Sequence, residues 1–460
     1  MEQTLISDLR SETIQADISG QVSGQVAVGN YNLQIGSVHG GVVNINMVES
    51  RPRLKPRQTP VRILPRSFEG LLDRVEVVGT ASSVLPASQP VELYGEAGAG
   101  KTSLLRYLSH HSLTAAFPDG VIYLLGRGQA SADLLQSIFT ALFEYDAPYK
   151  PNEGEIRHAL QGKRALIVID DVELEREDVE GLMDAAPQST FLLTSSTRLL
   201  WGQYHSIAVP GLPPDEAGLL FERELGRSLT AAEVQPVAEL CESLGGHPLY
   251  IVQAASLARE GLQSLPSLIA AVRTRSPKEA LAGLALRTTT PQERRVVAAI
   301  AALDGAPLHA RHLPALTGLN DADPVLERLQ RRGLIQAHSP RFTLTAGPDT
   351  WVQEYWNLLE WRLGLLEHFR TWLEGVQPEA ELIAEESGPI TRLVASAASL
   401  GYWRPALELA RAAEAGLAHS LRWEAWRSVL EAGLQAAQTL GDLPAKALML
   451  HQLGTRALCL

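Results

Sequence analysis

Glycines at 95, 98 and 100 lead directly into Lys101 and Thr102. They lie between a β-prone run, Val91-Glu92-Leu93-Tyr94, and a helix-prone run that opens Lys101-Thr102-Ser103-Leu104. Residues 95–102 satisfy G-x-x-x-x-G-K-[ST], and a strand before it with a helix after it is the setting in which that pattern binds phosphate. Glycines let the backbone turn tightly and aim consecutive N–H groups at one anion. The helix N-terminus adds the positive end of its dipole. The Lys101 ammonium reaches β- and γ-phosphates, and the Thr102 hydroxyl is placed to ligate Mg²⁺. Gly95, Glu96, Ala97, Gly98, Ala99, Gly100, Lys101, Thr102 and Ser103 are therefore expected to hold the phosphates of ATP or ADP.

A second acidic element fits the first. Ala165-Leu166-Ile167-Val168-Ile169 is a short apolar run, as a strand buried on both faces should be, and it ends in Asp170-Asp171. Ligands of open α/β sheets bind beyond the carboxyl ends of the strands. Asp170 is thus a candidate Mg²⁺ ligand beside Thr102, and Asp171 a candidate to orient or deprotonate an attacking water. Taken alone, the pair reads equally well as a helix cap. Thr190 to Arg198 forms another strand that ends in hydroxyls and an arginine. From there Arg198 could report a γ-phosphate, or simply be a surface arginine.

These residues need a sheet to position them. Strands are expected at 91–94, 121–125, 165–169, 190–194 and 206–209, alternating with helices across residues 67–210, the α/β pattern of a P-loop NTPase. Before it, residues 49–66 carry arginines, a lysine and prolines and read as an extended, solvated linker. After it, the pattern is almost wholly helical. A helical subdomain is expected over 211–287, a winged helix over 288–346 and a helical tail over 347–460. In the winged helix, Thr290 caps one helix with Pro291 at its first position. Residues 308–316 and 323–332 form two more helices, and 334–336 with 342–344 form the wing. Arg328, Arg331 and Arg332 could touch the phosphates of DNA.

Six stretches in order resemble the NB-ARC class of STAND NTPases, nucleotide switches of immune receptors and their bacterial relatives. They are Ser67-Phe68-Glu69-Gly70, Gly95–Thr102, Ala165–Asp171, Thr194–Arg198, Gly211–Ala217 and Leu244-Gly245-Gly246-His247-Pro248-Leu249. The likeness covers about residues 67–345. It implies that Pro248 packs near an adenine, a role suited to a rigid, apolar residue without an N–H. It also implies a winged helix that clamps over the nucleotide, and self-assembly once ATP replaces ADP. Leu71 departs from the arginine common in the family. Thr345-Ala346 stands where relatives place a histidine–aspartate pair that holds the ADP form, so a locked off state is not implied here.

In the tail, Leu400-Gly401-Tyr402-Trp403-Arg404-Pro405-Ala406 recurs as Leu440-Gly441-Asp442-Leu443-Pro444-Ala445, a spacing that fits tetratricopeptide-like helix pairs binding an unknown trigger. An ordinary helical domain would share these features. The chain stops inside an apolar helix at Ala457-Leu458-Cys459-Leu460, so missing repeats or a covering partner are expected.

Residues 1–48 form a β-prone N-terminal segment that carries no Asp, Glu, Lys or Arg between Ile18 and Val48. Asn32-Leu33-Gln34-Ile35-Gly36 resembles the core of RHIM-type amyloid signalling motifs. Uncharged strands with Asn and Gln can stack in register as a cross-β ladder. The resemblance implies an effector protein with a like motif as partner. A flexible leader or a small folded β element would have the same composition.

Composition bounds the rest. The chain has 460 residues with 45% hydrophobic and 20% charged, ample for several cores. A net charge of −12 argues against a protein whose main task is coating nucleic acid. Two cysteines, Cys241 and Cys459, make no disulfide framework. His309 and His312 lack further ligands nearby, so a metal is not expected there. No apolar run reaches the ~20 residues of a bilayer span, and no signal peptide opens the chain, which leaves the cytoplasm as the expected compartment. The expected function is a slow, Mg²⁺-dependent ATPase acting as a switch in bacterial immunity or regulated cell death. A transcription regulator that binds DNA through the winged helix is the alternative.

Overall fold

The computed structural model describes residues 11–22, 26–28, 31–33, 38–48, 54–144, 151–202, 204–338, 340–375 and 380–458. β1 (Ser11–Val22) pairs antiparallel with β4 (Val38–Val48), and β2 (Val26–Val28) with β3 (Tyr31–Leu33). Gln34-Ile35-Gly36, the core of the amyloid-like motif, lies outside the described residues.

The α/β unit then follows in chain order. β5 (Lys55–Pro56), β6 (Val61–Ile63), α1 (Val75–Val84), β7 (Val91–Tyr94), α2 (Lys101–Ser109) and β8 (Gly120–Leu125) come first. α3 (Ser131–Leu142), β9 (Phe143–Glu144), α4 (Glu153–Leu160), β10 (Ala165–Val172), α5 (Arg176–Ala185), β11 (Thr190–Ser195) and β12 (His205–Ala208) complete it. Six parallel strands form one sheet in the order β12-β7-β11-β10-β8-β6. The period-two rule sorts the central strand. Leu166 and Val168 face α1 and α2, while Ile167 and Ile169 face α3, α4 and α5. Each Leu or Ile fully buried in this way contributes about 1.5–3 kcal/mol.

One expectation fails at the edge. The segment read as a solvated linker supplies β6, which pairs with β8, and Val61 is buried. β5 pairs with β9, and Arg57 bonds the Thr140 carbonyl and Glu144. Proline is tolerated here because both strands lie at edges, where a missing N–H costs nothing.

The remainder is helical. α6 (Pro214–Leu225), α7 (Ala231–Ser243), α8 (Pro248–Arg259), α9 (Leu265–Thr274) and α10 (Pro277–Arg287) follow the sheet. Next come α11 (Pro291–Ala301), β13 (Leu308–His309), α12 (Leu313–Thr317), α13 (Asp323–Arg331), β14 (Ile335–Ala337) and β15 (Arg341–Leu344), the strands pairing in the order β13-β15-β14. Thr290 does cap α11, in a reciprocal capping box with Glu293. The helix expected over 308–316 is instead a short strand, a 3₁₀ turn and α12. Leu308 and His309 pair with β15, and His309 Nδ1 accepts the Arg311 N–H at 3.0 Å.

α14 (Ala346–Tyr355), α15 (Leu359–Gly375), α16 (Ala380–Ser399), α17 (Trp403–His419), α18 (Trp423–Leu440) and α19 (Leu443–Leu458) form the tail. α16 to α19 pack each on the next, and α15 on α17. α17 opens at Trp403 and α19 at Leu443, so the forty-residue recurrence is one helix pair. No helix among the described residues is long and apolar enough to cross a membrane.

The tail is bolted to the 288–346 segment by buried charge. Glu386 of α16, fully buried, accepts from Arg341 Nη1 at 3.0 Å and Nη2 at 2.9 Å, and lies 3.2 Å from His312 Nε2. Burial alone would raise its carboxyl, but the hydrogen bonds from His312 and Arg341 outweigh that and hold it down at about 2. His309 and His368 are pushed down to about 4, chiefly by burial. All three folded-state pKa values lie below their unfolded ones. Each group therefore stabilises the junction above its unfolded pKa and loses that contribution as pH falls through the folded one. Thermal melts should fall from about pH 6.5 downward as the histidines take up protons, and fall again below about pH 4.5 as Glu386 does. Glu386→Gln should shrink the second fall, leaving what other depressed carboxylates such as Glu233 contribute, and leave the first. An unchanged pH profile in that variant would show that Glu386 is not the group involved.

Candidate nucleotide site

The phosphate loop runs from β7 to the first turn of α2. Gly98 shows why the pattern needs glycine. Its φ is +91°, and a Cβ there would lie 2.7 Å from Leu249 Cβ and 2.9 Å from the His247 ring. Lys101 opens α2 and folds back over the loop, where Nζ donates to the carbonyls of Gly95 at 2.6 Å and Glu96 at 2.9 Å. Burial lowers its pKa, while Asp171, Asp170 and Glu96 pull the other way. Those carboxylates keep the charge that an anion would meet.

Asp170 ends the buried strand and is wholly shielded from solvent. Three hydroxyls hold it. Thr102 Oγ1 donates to Oδ1 at 3.0 Å, Thr194 Oγ1 to Oδ1 at 2.6 Å, and Tyr123 OH to Oδ2 at 3.1 Å. Burial first, then the Asp170 charge, drives the Tyr123 pKa upward, so its proton stays on. Asp171 turns the chain in the left-handed region, φ +61°, and its N–H donates to Thr194 Oγ1 at 2.7 Å. Its carboxylate accepts from Arg127 Nε at 2.6 Å.

The structure brings Thr102 and Asp170 together, and that oxygen pair suits a hard divalent cation. A cavity of about 1160 Å³ is lined by Gly98 to Ser103, Asp171, Thr194 and Pro248, large enough for a nucleotide. Arg198 is not among its lining residues. Its guanidinium lies 4.2 Å over the Trp201 ring, and Nε donates to the Leu200 carbonyl at 3.1 Å.

Several lining residues carry no motif and were missed in the sequence. Arg127 follows β8. Arg74 is buried in the left-handed region, donating to the carbonyls of Pro210 at 2.8 Å and Ala99 at 3.3 Å. Gln336 Nε2 on β14 reaches Thr102 Oγ1 at 3.4 Å, and Arg106 of α2 donates to the Ala337 carbonyl at 2.8 Å. Tyr250 OH donates to Glu96 at 3.0 Å, and the Leu249 N–H to the Gly98 carbonyl at 3.3 Å. Thr345 bonds the Gly333 carbonyl at 2.8 Å and lines the cavity with Ala346. This side of the cavity carries Gln336 and Asp349, whose pKa burial raises. The arginines considered for DNA are otherwise engaged. Arg332 is buried against Glu293 and Glu260, Arg328 bonds Glu293 at 3.3 Å, and Arg331 lines this cavity.

A phosphate loop between strand and helix, an acid near the end of a buried strand two places along the sheet and a parallel sheet around them define a P-loop nucleotide-binding fold. Residues 79–228 match the NB-ARC domain family. The chain is 30% identical over 217 residues to the regulatory protein AfsR of Streptomyces griseus, and 29% identical over 223 residues to that of Streptomyces coelicolor. Each match covers 44% of this chain and 22% of the relative, so the chain spans only about a fifth of these curated relatives. Among solved structures, a STAND protein with a tetratricopeptide repeat sensor from Pyrococcus horikoshii aligns with TM-score 0.48 and 17% identity, over 85% of this chain and 68% of that one. The RuvB Holliday junction branch migration motor of Thermotoga maritima aligns with TM-score 0.32 and 16% identity, over 63% and 97%.

One buried carboxylate outside the cavity shapes its rim. Glu92 on β7 accepts from Ser195 Oγ at 2.7 Å, Ser206 Oγ at 2.8 Å, and the N–H groups of Leu199 at 2.7 Å and Leu200 at 3.0 Å. It thereby pins the loop that carries Arg198. Glu92→Ala would orphan the N–H groups of Leu199 and Leu200, at about 1–3 kcal/mol for each left buried and unpaired, while the Ser195 and Ser206 hydroxyls keep the carbonyls of Thr197 and Leu200 as acceptors at 2.8 Å. A urea melt should show a loss of about 3 kcal/mol or more, and Glu92→Gln about half of it. A change under ~0.5 kcal/mol in both would mean that the loop repairs itself.

Proposed function

We propose that the chain is a nucleotide-controlled switch in signal transduction, binding ADP at rest and ATP when active. One observation carries the reading: two helical segments close on the phosphate loop itself. α8 reaches it through Tyr250 and Leu249, and the β14–β15 hairpin reaches the expected Mg²⁺ ligand through Gln336. Whatever occupies the loop must therefore push on both segments. In this reading residues 288–346 act as a winged helix that clamps rather than reads DNA.

Mg²⁺, held by Thr102 and Asp170, would neutralise phosphate charge. Lys101 turns from the Gly95 and Glu96 carbonyls to the β- and γ-phosphates. Pro248 packs by the adenine. Arg198 leaves Trp201 to meet a γ-phosphate, and Asp171, steadied by Arg127, orients a water for slow hydrolysis that resets the switch. Gln336 takes the part of the missing histidine–aspartate pair by bonding Thr102 in the closed form. Moving such a switch from 1:99 to 99:1 needs about 5.5 kcal/mol of differential binding. A few charge-assisted bonds at about 1.5–3 kcal/mol each supply that.

A trigger on the helical tail would loosen the closed form. The opened copies would assemble in the cytoplasm, raising the local concentration of residues 18–48 and nucleating cross-β recruitment of an effector with a like motif, in bacterial defence or regulated cell death. The DNA-regulator alternative is weakened by the engagement of Arg328 and Arg332 with Glu293.

Light scattering after gel filtration, on protein lacking residues 1–48, should give a discrete oligomer with a slowly hydrolysed ATP analogue and a monomer with ADP. Lys101→Ala should stay monomeric in both. A monomer in every state would mean that the trigger is also required, whereas an oligomer that forms equally with ADP or in Lys101→Ala would overturn nucleotide-driven assembly. Separately, a peptide of residues 15–48 should form fibrils with the ~4.7 Å cross-β spacing. If it remains monomeric at millimolar concentration, the recruitment step is wrong.

A further inference from the structure

A second cavity of about 330 Å³ shares no lining residue with the nucleotide site. Its floor is apolar, from the buried Leu286 of α10 and Ala298 of α11. Trp351 and Trp356, at and just beyond α14, and Trp361 of α15 wall it, and Arg287, Arg294 and Arg295 stand around it. Such a density of tryptophan and arginine has two ordinary explanations, core packing and ion pairing; the indoles do pack against the helical core, but that covers only part of each, and ion pairing does not hold. All three indoles are only partly buried, and all three arginines are exposed. Among the described residues none of these arginines makes an ion pair, although Arg328, Arg332, Arg341 and Arg362 of the same helical body each face a carboxylate. Their hydrogen bonds go to neutral oxygens. Arg294 Nε donates to Thr289 Oγ1 at 3.3 Å, and Arg295 Nη1 to the Thr317 carbonyl at 2.9 Å. Three uncompensated charges meet an aromatic cleft on a chain of net charge −12.

The cleft is also built. Gly283, inside α10, is a poor choice for a helix interior. A Cβ there would lie 3.1 Å from Trp351 Nε1, so the glycine lets this indole seat against the helix. Trp351 is backed in turn by Tyr355, ring centroids 4.7 Å apart. The wall is positioned from behind rather than left to swing.

We propose that this cleft binds a small planar aromatic anion, its ring between the indoles and its carboxylate, sulfonate or phosphate on the arginines. Aromatic faces take a planar ring in offset or edge-on contact. Guanidinium groups give paired, charge-assisted bonds to oxyanions, and more strongly so beside an apolar floor. The volume sits at the low end of ligand cavities, about 300–1000 Å³, and so holds one ring system and one acidic group rather than a peptide segment. Because α10 and α11 form one side and α14 and α15 the other, the ligand would fasten the start of the tail to the segment it follows. It would thus act on the joint between the two, away from the phosphates.

Calorimetric titration of the full chain with 2-naphthoate, and with 2-naphthylmethanol as the neutral ring, tests this. Wild type should bind the anion about tenfold more tightly than the alcohol. The Arg287→Gln, Arg294→Gln double variant, at exposed positions that folding does not need, should abolish that preference and leave the alcohol unaffected. Trp356→Ala should weaken both about tenfold. Equal affinities in wild type, a preference that survives the arginine changes, or no binding of either compound would each overturn the proposal.

Discussion

Asp170 is an anion wholly removed from water and held by three neutral hydroxyls. Taking a carboxylate out of water is costly unless it is paired. Thr102, Thr194 and Tyr123 soften that cost without cancelling the charge, and each comes from a different element: α2, β11 and β8. The side chain therefore joins the phosphate loop to two neighbouring strands through one carboxylate and leaves unspent negative potential facing the loop. A cation brought by a nucleotide would relieve it. The buried strand that carries Asp170, the parallel sheet around it and the αL turn at Asp171 all follow from the need to present this one group at the sheet's carboxyl edge.

From that carboxylate the connection runs outward in single steps. Thr102 touches Asp170 and Gln336, so the hairpin of residues 335–344 lies two hydrogen bonds from the acid. Glu96 and Gly98 on the same loop touch α8. These are hydrogen bonds between side chains and, from Leu249 to Gly98, between backbones, individually worth only about 0.5–1.5 kcal/mol. They hold a closed arrangement without making it irreversible, as the proposed switch requires.

Much of this was legible in the sequence because it is local. The phosphate loop, the acidic strand and the core strands are contiguous patterns whose period and composition decide their structure. Thr290 and Glu293 announce their helix start in the same way. The failures are non-local or edge-bound. Val61-Arg62-Ile63 is too short and too flanked by proline and arginine to read as a strand, yet the exposed edge at β8 recruits it. Residues 308–312 carry enough leucine and alanine for a helix, but pairing with β15 draws Leu308 and His309 into a strand, and tertiary context overrides propensity. Tyr123, Arg127 and Gln336 belong to no motif. Gln336 meets Thr102 across 234 residues of chain, and nothing in either neighbourhood signals it. Arg198 sits in a readable motif, but which way it points depends on Trp201 beside it.

The distribution of apolar surface says where motion belongs. From Leu212 to Met449 the helical half shares one continuous hydrophobic cluster, while the sheet has a separate core on each face. Across the boundary between sheet and helices the named contacts are mostly polar. They are Tyr250 with Glu96, Gln336 with Thr102, Arg106 with the Ala337 carbonyl, Arg127 with the Gly305 carbonyl at 3.4 Å, and Arg422 with Ser137 at 2.9 Å. Polar interfaces within a chain are the ones that open, because water can replace their hydrogen bonds, whereas splitting an apolar core exposes area at about 25 cal/mol per Å². The buried Arg341–Glu386 pair reinforces this division, since parting it would strand a charge. The helical segments and the tail are thus built to travel together, and the phosphate loop sits at the boundary along which they can leave the sheet. The tail's docking on α3 through Arg422 lies on that same boundary, so in the proposed switch a force applied to the tail and a phosphate bound at the loop would act on the same opening.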